Sequence, residues 1–155
     1  MYRKVDDFIR DWNYSAAGTL KAIEALEDDK LDQAIVEGHN TLGWLSSHLV
    51  NAPSFFGGLA GLDVPSIPEG EKPTTVKELE EAYKKKAAKV EEEATKLSDH
   101  DLERRVEAFG KNMPVGQVLR SMIDHQTHHR GQMTVLIRQA ELPVPPIMGP
   151  TIEQA

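Results

Sequence analysis

Three histidines are the residues of this chain best suited to chemistry. His125 and His129 are four residues apart, and on a helix this spacing places both imidazoles on one face. His48 lies on an earlier segment, and a third imidazole from a facing helix would complete a three-histidine metal site. Three protein ligands leave positions free for water or substrate, which is how a catalytic metal differs from a closed structural one.

The positions of the histidines on their predicted helix favour metal binding over simple burial. At about 100° per residue, His129 lies about 20° from the centre of an apolar stripe, His125 lies toward its edge, and His128 lies outside it. The stripe is formed by Val115, Val118, Leu119, Met122, Met133, Leu136, Ile137 and Ala140. Both nitrogens of a buried imidazole need partners, so the alternative is a hydrogen-bonded pair in the core. A metal would satisfy both imidazoles at once, and we therefore favour it.

The remaining histidines and one arginine carry weaker signals. His48 borders the apolar face of its helix, and the alternative for it is a surface or capping histidine. His39 and His100 lie in polar or loop sequence, and we expect both to be exposed. Arg130 lies on the side of the stripe opposite His125, where it forms a surface salt bridge or holds the C-terminal arm or a substrate.

Composition and charge limit the classes of function. The chain has no cysteine, which excludes disulfides, thiolate ligands and a cysteine nucleophile, so a metal must be held by nitrogen and oxygen. The net charge of −7 and the lack of a basic stripe argue against nucleic-acid binding. No apolar run approaches the ~18 residues that span a membrane, and the first residues do not form a signal peptide. We expect a cytoplasmic protein with one domain over residues 1–155.

Hydrophobic periodicity predicts four helices that must position the histidines. Caps are available at Asn40 or Thr41 for the second helix and at Thr74 or Thr75 for the third. Residues 61–74 are a loop, and residues 101–113 include an extended piece and a turn at Gly110-Lys111-Asn112. The predicted helices run from about Val5 to Leu26, from Leu42 to Leu59, from Val76 to Ser98-Asp99, and from Pro114 to Ala140. Pro53 either kinks the second of them or marks a helix start. The fold class is therefore all-α, a four-helix bundle with long connections and a proline-rich C-terminal arm.

The pattern resembles the DinB/YfiT-like superfamily of small metal-binding four-helix bundles. The likeness covers nearly the whole chain and includes an N-terminal helix with a tryptophan and a proline-rich end. Its two motifs are Asn40-Thr41-Leu42-Gly43-Trp44-Leu45-Ser46-Ser47-His48-Leu49 and His125-Gln126-Thr127-His128-His129-Arg130-Gly131-Gln132. The resemblance implies that His48, His125 and His129 are the metal ligands and that His128 is not.

The resemblance also implies a cofactor and several possible activities. Members of this superfamily bind divalent metals, commonly zinc or nickel, and many form dimers. Those with known activities are mostly transferases or isomerases that use bacillithiol, mycothiol or glutathione, and some are described as metal-dependent hydrolases. We therefore expect a homodimer that acts on a small-molecule substrate, with a divalent metal and a low-molecular-weight thiol as cosubstrate.

Three functions remain open from the sequence. In the first, the metal favours the deprotonated form of a thiol, which then attacks an electrophile. In the second, a hydrolase, metal-bound water needs a general base; Asp124 points outward, while Asp11 and Glu24 flank the apolar face of the first helix. The third is a non-enzymatic, metal-binding, stress-related dimer.

Five large apolar residues could surround a ligand near the metal. Burial statistics favour a place in the core for each of them over a place in a cavity wall. They are Trp12, Trp44, Phe55, Phe56 and Met133.

Overall fold

Four amphipathic segments form the helices of a bundle in the computed structural model, which describes residues 1–154. The all-α bundle predicted from the sequence is confirmed. Both α1 and α2 pack mainly against α3 and α4, so α1 and α2 lie at diagonal corners of the bundle. The helices are α1 (Val5–Glu24), α2 (Leu42–Ala60), α3 (Val76–Ala94) and α4 (Val115–Gln139).

Threonine side chains cap the N-termini of α2 and α3. The Thr41 hydroxyl accepts a hydrogen bond from the Trp44 amide and begins α2, and Thr75 forms a capping box with Glu78 at the start of α3. Helix α3 ends at Ala94, before the predicted Ser98-Asp99, because Ser98 caps a separate 3₁₀ turn at Asp99–Glu103.

A short β-hairpin joins this 3₁₀ turn to α4. Strands β1 (Arg105–Ala108) and β2 (Lys111–Pro114) pair antiparallel, and the two residues between them, Phe109 and Gly110, have φ of 54° and 70°. The turn was predicted at Gly110-Lys111-Asn112 but lies at Phe109 and Gly110, because Lys111 and Asn112 pair within β2. Pro114 was predicted as the first helical residue but still belongs to the strand, and α4 begins at Val115.

One buried amide links all four helices at the centre of the core. The Oε1 atom of Gln126 on α4 accepts hydrogen bonds from Thr19 of α1 at 2.8 Å and from Tyr83 of α3 at 2.9 Å. Its Nε2 atom donates to the carbonyl of Leu49 on α2 at 3.4 Å. Since Gln126 follows His125 and Leu49 follows His48 in the chain, this network fixes the helices beside the histidines.

Arg130 is buried between α1 and α4, so the surface salt bridge proposed as one alternative is wrong. Its side chain is 5% exposed, and Nη1 donates to the carbonyl and the hydroxyl of Ser15, both at 2.7 Å, and to Thr19. A stripe drawn through apolar residues alone is therefore narrower than the buried face of α4, which includes Arg130 and Gln126.

The C-terminal arm packs along the bundle through Leu142 and Val144, which are both buried. An ion pair between Arg138 and Glu153 at 3.0 Å holds the end of the arm to α4. Among residues 1–154, no helix combines the length and the apolar character that a membrane-spanning segment requires.

Candidate metal centre

The structure brings the three predicted histidines together between α2 and α4. One ring nitrogen from each of His48, His125 and His129 lies within 4.8 Å of the other two. The closest pair is Nε2 of His48 and Nε2 of His125, at 2.9 Å. Trp44, one turn before His48 on α2, stacks on that imidazole with ring centroids 4.7 Å apart. The i,i+4 pair therefore meets its third imidazole across the helix interface.

The other candidates for the site lie elsewhere. His39, His100 and His128 are exposed and stay outside the cluster, as predicted. Asp124 is exposed and paired with Arg120. The other two candidate carboxylates are engaged at a distance from the cluster, since Asp11 accepts a hydrogen bond from Tyr2 and Glu24 lies 3.6 Å from Lys84. Within residues 1–154, no aspartate or glutamate joins the three histidines.

Burial and the neighbouring imidazoles favour the neutral forms of His48 and His125. Burial, followed by the neighbouring histidines His129 and His48, lowers the pKa of His125 to about 4. Burial and His129 also lower the pKa of His48. A neutral imidazole has the free lone pair that a metal requires, so protons compete weakly for these two ligands at neutral pH.

His125 is not satisfied by the protein alone. Its Nδ1 atom is buried and has no hydrogen-bond partner within residues 1–154, while its Nε2 faces another imidazole nitrogen. The Nε2 atoms of His48 and His125 can share only one hydrogen. The nearby nitrogen of His129 is therefore not satisfied by this contact. Three imidazole nitrogen donors gathered with no carboxylate among them are a ligand set that suits a divalent metal.

Gln132 orients one of the three ligands, a role that the sequence analysis missed. Its Oε1 atom lies 2.7 Å from Nδ1 of His129, so Nδ1 carries the hydrogen and Nε2 is left free to bind a metal. The signal in the sequence is the i,i+3 spacing from His129 to Gln132, which places the amide one turn further along the same helix.

We expect Gln132→Leu to weaken zinc binding by about 10–100-fold, because an outer hydrogen bond that orients a metal-binding histidine contributes about this much to affinity. Competition with a chelator of known zinc affinity would measure the change. Gln139→Leu is the matched control, because Gln139 is exposed at the end of the same helix. Equal zinc affinities for Gln132→Leu and wild type would contradict the role of this amide.

Two cavities meet at His48 and Asn51, which line both of them. One cavity, of about 420 Å³, is almost wholly apolar, and the other, of about 290 Å³, contains Lys72. The remaining wall residues of the apolar cavity are Ala52, Phe55, Phe56, Phe109 and His125. The polar cavity is completed by Trp44, Ser47 and Pro73. Of the three clustered histidines, His48 thus borders both cavities, His125 borders the apolar one, and His129 lines neither.

Comparison with known proteins assigns the family. The sequence model described as the DinB family matches residues 1–155. The chain belongs to the DinB family. This DinB protein is 36% identical over 156 residues to YrdA, an uncharacterized protein of Bacillus subtilis strain 168, covering 99% of this chain and 93% of YrdA.

Two solved structures share the fold of this DinB protein. A DinB-like protein from Bacillus cereus ATCC 10987 is 37% identical, with a TM-score of 0.87 over 94% of this chain and 98% of the other. The DinB-like protein YjoA from Bacillus subtilis is 18% identical, with a TM-score of 0.76 over 94% of this chain and 99% of YjoA. At that lower identity the likeness to YjoA shows the fold alone.

Proposed function

We propose that this DinB protein binds one divalent metal ion, zinc or nickel, through His48, His125 and His129 and transfers a low-molecular-weight thiol to an electrophile. The observation that carries the proposal is the cluster of three imidazoles, of which His48 lines two cavities and His125 lines one of them. When bound, the metal would favour the deprotonated, nucleophilic form of the thiol.

The residues around the cluster prepare it for this role. Trp44 stacks on His48, and Gln132 fixes the hydrogen of His129, so two of the three rings are held in orientation before a metal arrives. The ring of Phe56 lies 5.0 Å from His125 and covers one side of the cluster. Phe56 shields that side of His125 from water, which would compete with the thiol.

Two cavities of different character suit a reaction between two molecules. The polar cavity contains Lys72 and Asn51, which fits a thiol cosubstrate bearing carboxylate or hydroxyl groups, as glutathione does. The apolar cavity shares His48 and Asn51 with the polar one and is left for the electrophile. Because the chain has no cysteine, the sulfur nucleophile must come from the cosubstrate.

A hydrolase is the second candidate, and the geometry favours it less. Metal-bound water acts with a general base, commonly a carboxylate. Among the described residues, neither the histidine cluster nor the two cavities beside it include an aspartate or a glutamate. The non-enzymatic dimer, the homodimeric state and the cytoplasmic location stay predictions from the sequence.

The test is a conjugation assay with a panel of thiols. Untagged protein is treated with EDTA, reloaded with zinc or nickel, and assayed with glutathione, bacillithiol or mycothiol and the electrophile 1-chloro-2,4-dinitrobenzene. We expect conjugation that disappears with EDTA and returns with the metal. Metal-dependent hydrolysis of 4-nitrophenyl acetate, with no conjugation by any thiol, would support the hydrolase instead.

A further inference from the structure

Three phenylalanines from two separate elements converge beside the histidine cluster. Phe55 and Phe56 lie on α2, and Phe109 lies at the tip of the hairpin, with ring centroids 5.4 to 6.2 Å apart. Phe55 is 58% exposed and Phe109 is 48% exposed, so neither ring belongs to the core. The place in the core that burial statistics favoured for Phe55 is therefore wrong. By contrast, Trp12 and Met133 are fully buried, as expected.

The hairpin holds Phe109 in a strained conformation. With φ of 54° at Phe109 and 70° at Gly110, both turn residues are in the left-handed region, where hairpins of this kind favour asparagine or aspartate followed by glycine. A bulky side chain is disfavoured at the first of these positions. Neither backbone preference nor burial therefore accounts for phenylalanine here, whereas its position over the cavity does.

The cavity beneath these rings has the size and chemistry of a site for an apolar group. Its volume of about 420 Å³ is in the range of small-ligand pockets. Ala52 is the smallest residue of the wall, and the polar residues of the wall are Asn51 and the two histidines His48 and His125. No charged lysine, arginine or carboxylate side chain, among those described, lines it.

We infer that Phe55, Phe56 and Phe109 form a subsite for an uncharged aromatic or similarly flat apolar group of the electrophile. The inference rests on the proposed function, because the subsite ends on His125 and would place the reactive atom of such a substrate at the metal. The rings supply apolar contact and offset stacking, which favour a flat neutral group. The subsite thereby selects the substrate, while the histidines hold the metal.

The test measures binding of a non-reactive probe, 4-fluorobenzyl alcohol, by its ¹⁹F NMR signal. We expect it to bind both zinc-loaded and EDTA-treated protein, and to bind Phe109→Asn and Phe55→Ala at least ~10-fold more weakly, because apolar ring contact is lost. Tyr14→Ala is the matched control, since Tyr14 is a 60% exposed ring on α1 outside the cavity.

Thermal unfolding separates this role from a structural one. Asparagine tolerates positive φ better than phenylalanine, so Phe109→Asn should unfold at the same or a higher temperature while it loses the probe. A lower unfolding temperature with unchanged probe affinity would overturn the inference. Tighter binding of 4-fluorobenzylammonium than of the alcohol would also overturn it, because the three rings would then be a cation site.

The remaining outcomes distinguish this inference from the proposed function. Zinc binding without probe binding would refute the subsite and leave the metal chemistry standing. Probe binding without zinc binding would support the subsite and refute the metal chemistry. If Phe55→Ala and Phe109→Asn instead convert a dimer to a monomer in light scattering, the three rings are a subunit contact and the inference fails.

Discussion

The His125→Ala variant should lose zinc. Loss of an outer hydrogen bond to a metal ligand costs about 10–100-fold in affinity, and loss of a ligand should cost more, so we expect binding to weaken by more than ~100-fold. His125 is the most informative of the three ligands because its Nε2 atom lies 2.9 Å from that of His48 and burial lowers its pKa to about 4. Elemental mass spectrometry on untagged protein purified without added metal would measure the loss.

His128→Ala is the matched control for this variant. His128 is an exposed histidine on the same helix, three residues from His125 and outside the cluster, so its removal should leave the zinc content unchanged. Zinc should also stabilise the wild type and not His125→Ala. At a free zinc concentration about 100 times the Kd, the gain is about 2.7 kcal/mol, which corresponds to roughly 5–11 °C in Tm for a chain of this size. Equal zinc content in His125→Ala and wild type would refute the proposed site.

The Gln126→Leu variant should be the least stable of the single substitutions considered. The leucine removes the acceptor of two buried hydroxyls and the donor to the Leu49 carbonyl. Thr19 can turn to the Ser15 carbonyl, 3.3 Å away, whereas the buried Tyr83 hydroxyl loses the amide oxygen that it donates to at 2.9 Å. Burial raises the pKa of Tyr83, so its hydroxyl keeps its hydrogen and still needs an acceptor in the core.

We expect Gln126→Leu to lower the free energy of unfolding by about 2–3 kcal/mol, the cost of a buried polar group left unpaired together with the bonds lost. This corresponds to about 4–12 °C in Tm. Denaturant unfolding of metal-free protein, followed by circular dichroism, would measure the change. The control is Gln132→Leu, the same substitution at an exposed position of α4, which should affect zinc affinity and not stability. Equal stability of the two variants would contradict the central role of this amide.

Spacing and periodicity predicted the helices and the two histidines on α4, because both features depend on neighbours in the chain. His48 was placed in the site mainly through the resemblance to the DinB/YfiT-like superfamily, because the residues around it do not indicate which helix it faces. Gln126 and Arg130 were missed as buried residues because a polar side chain in the core is detectable only once its partners are known. The role of Phe109 depends on its place in the hairpin turn, and the sequence predicted that turn one position further along the chain.

The diagonal arrangement of α1 and α2 has a consequence for synthesis of the chain. The two helices that leave the ribosome first scarcely touch each other, and each needs α3 and α4 to cover its apolar face. The chain that joins α1 to α2 would have to be ordered before either helix has a stabilising contact. The nascent N-terminal half therefore gains little by collapsing alone. A fragment of residues 1–74 should accordingly show little helix by circular dichroism. Such a chain needs protection of its apolar surfaces until its last long helix has been made.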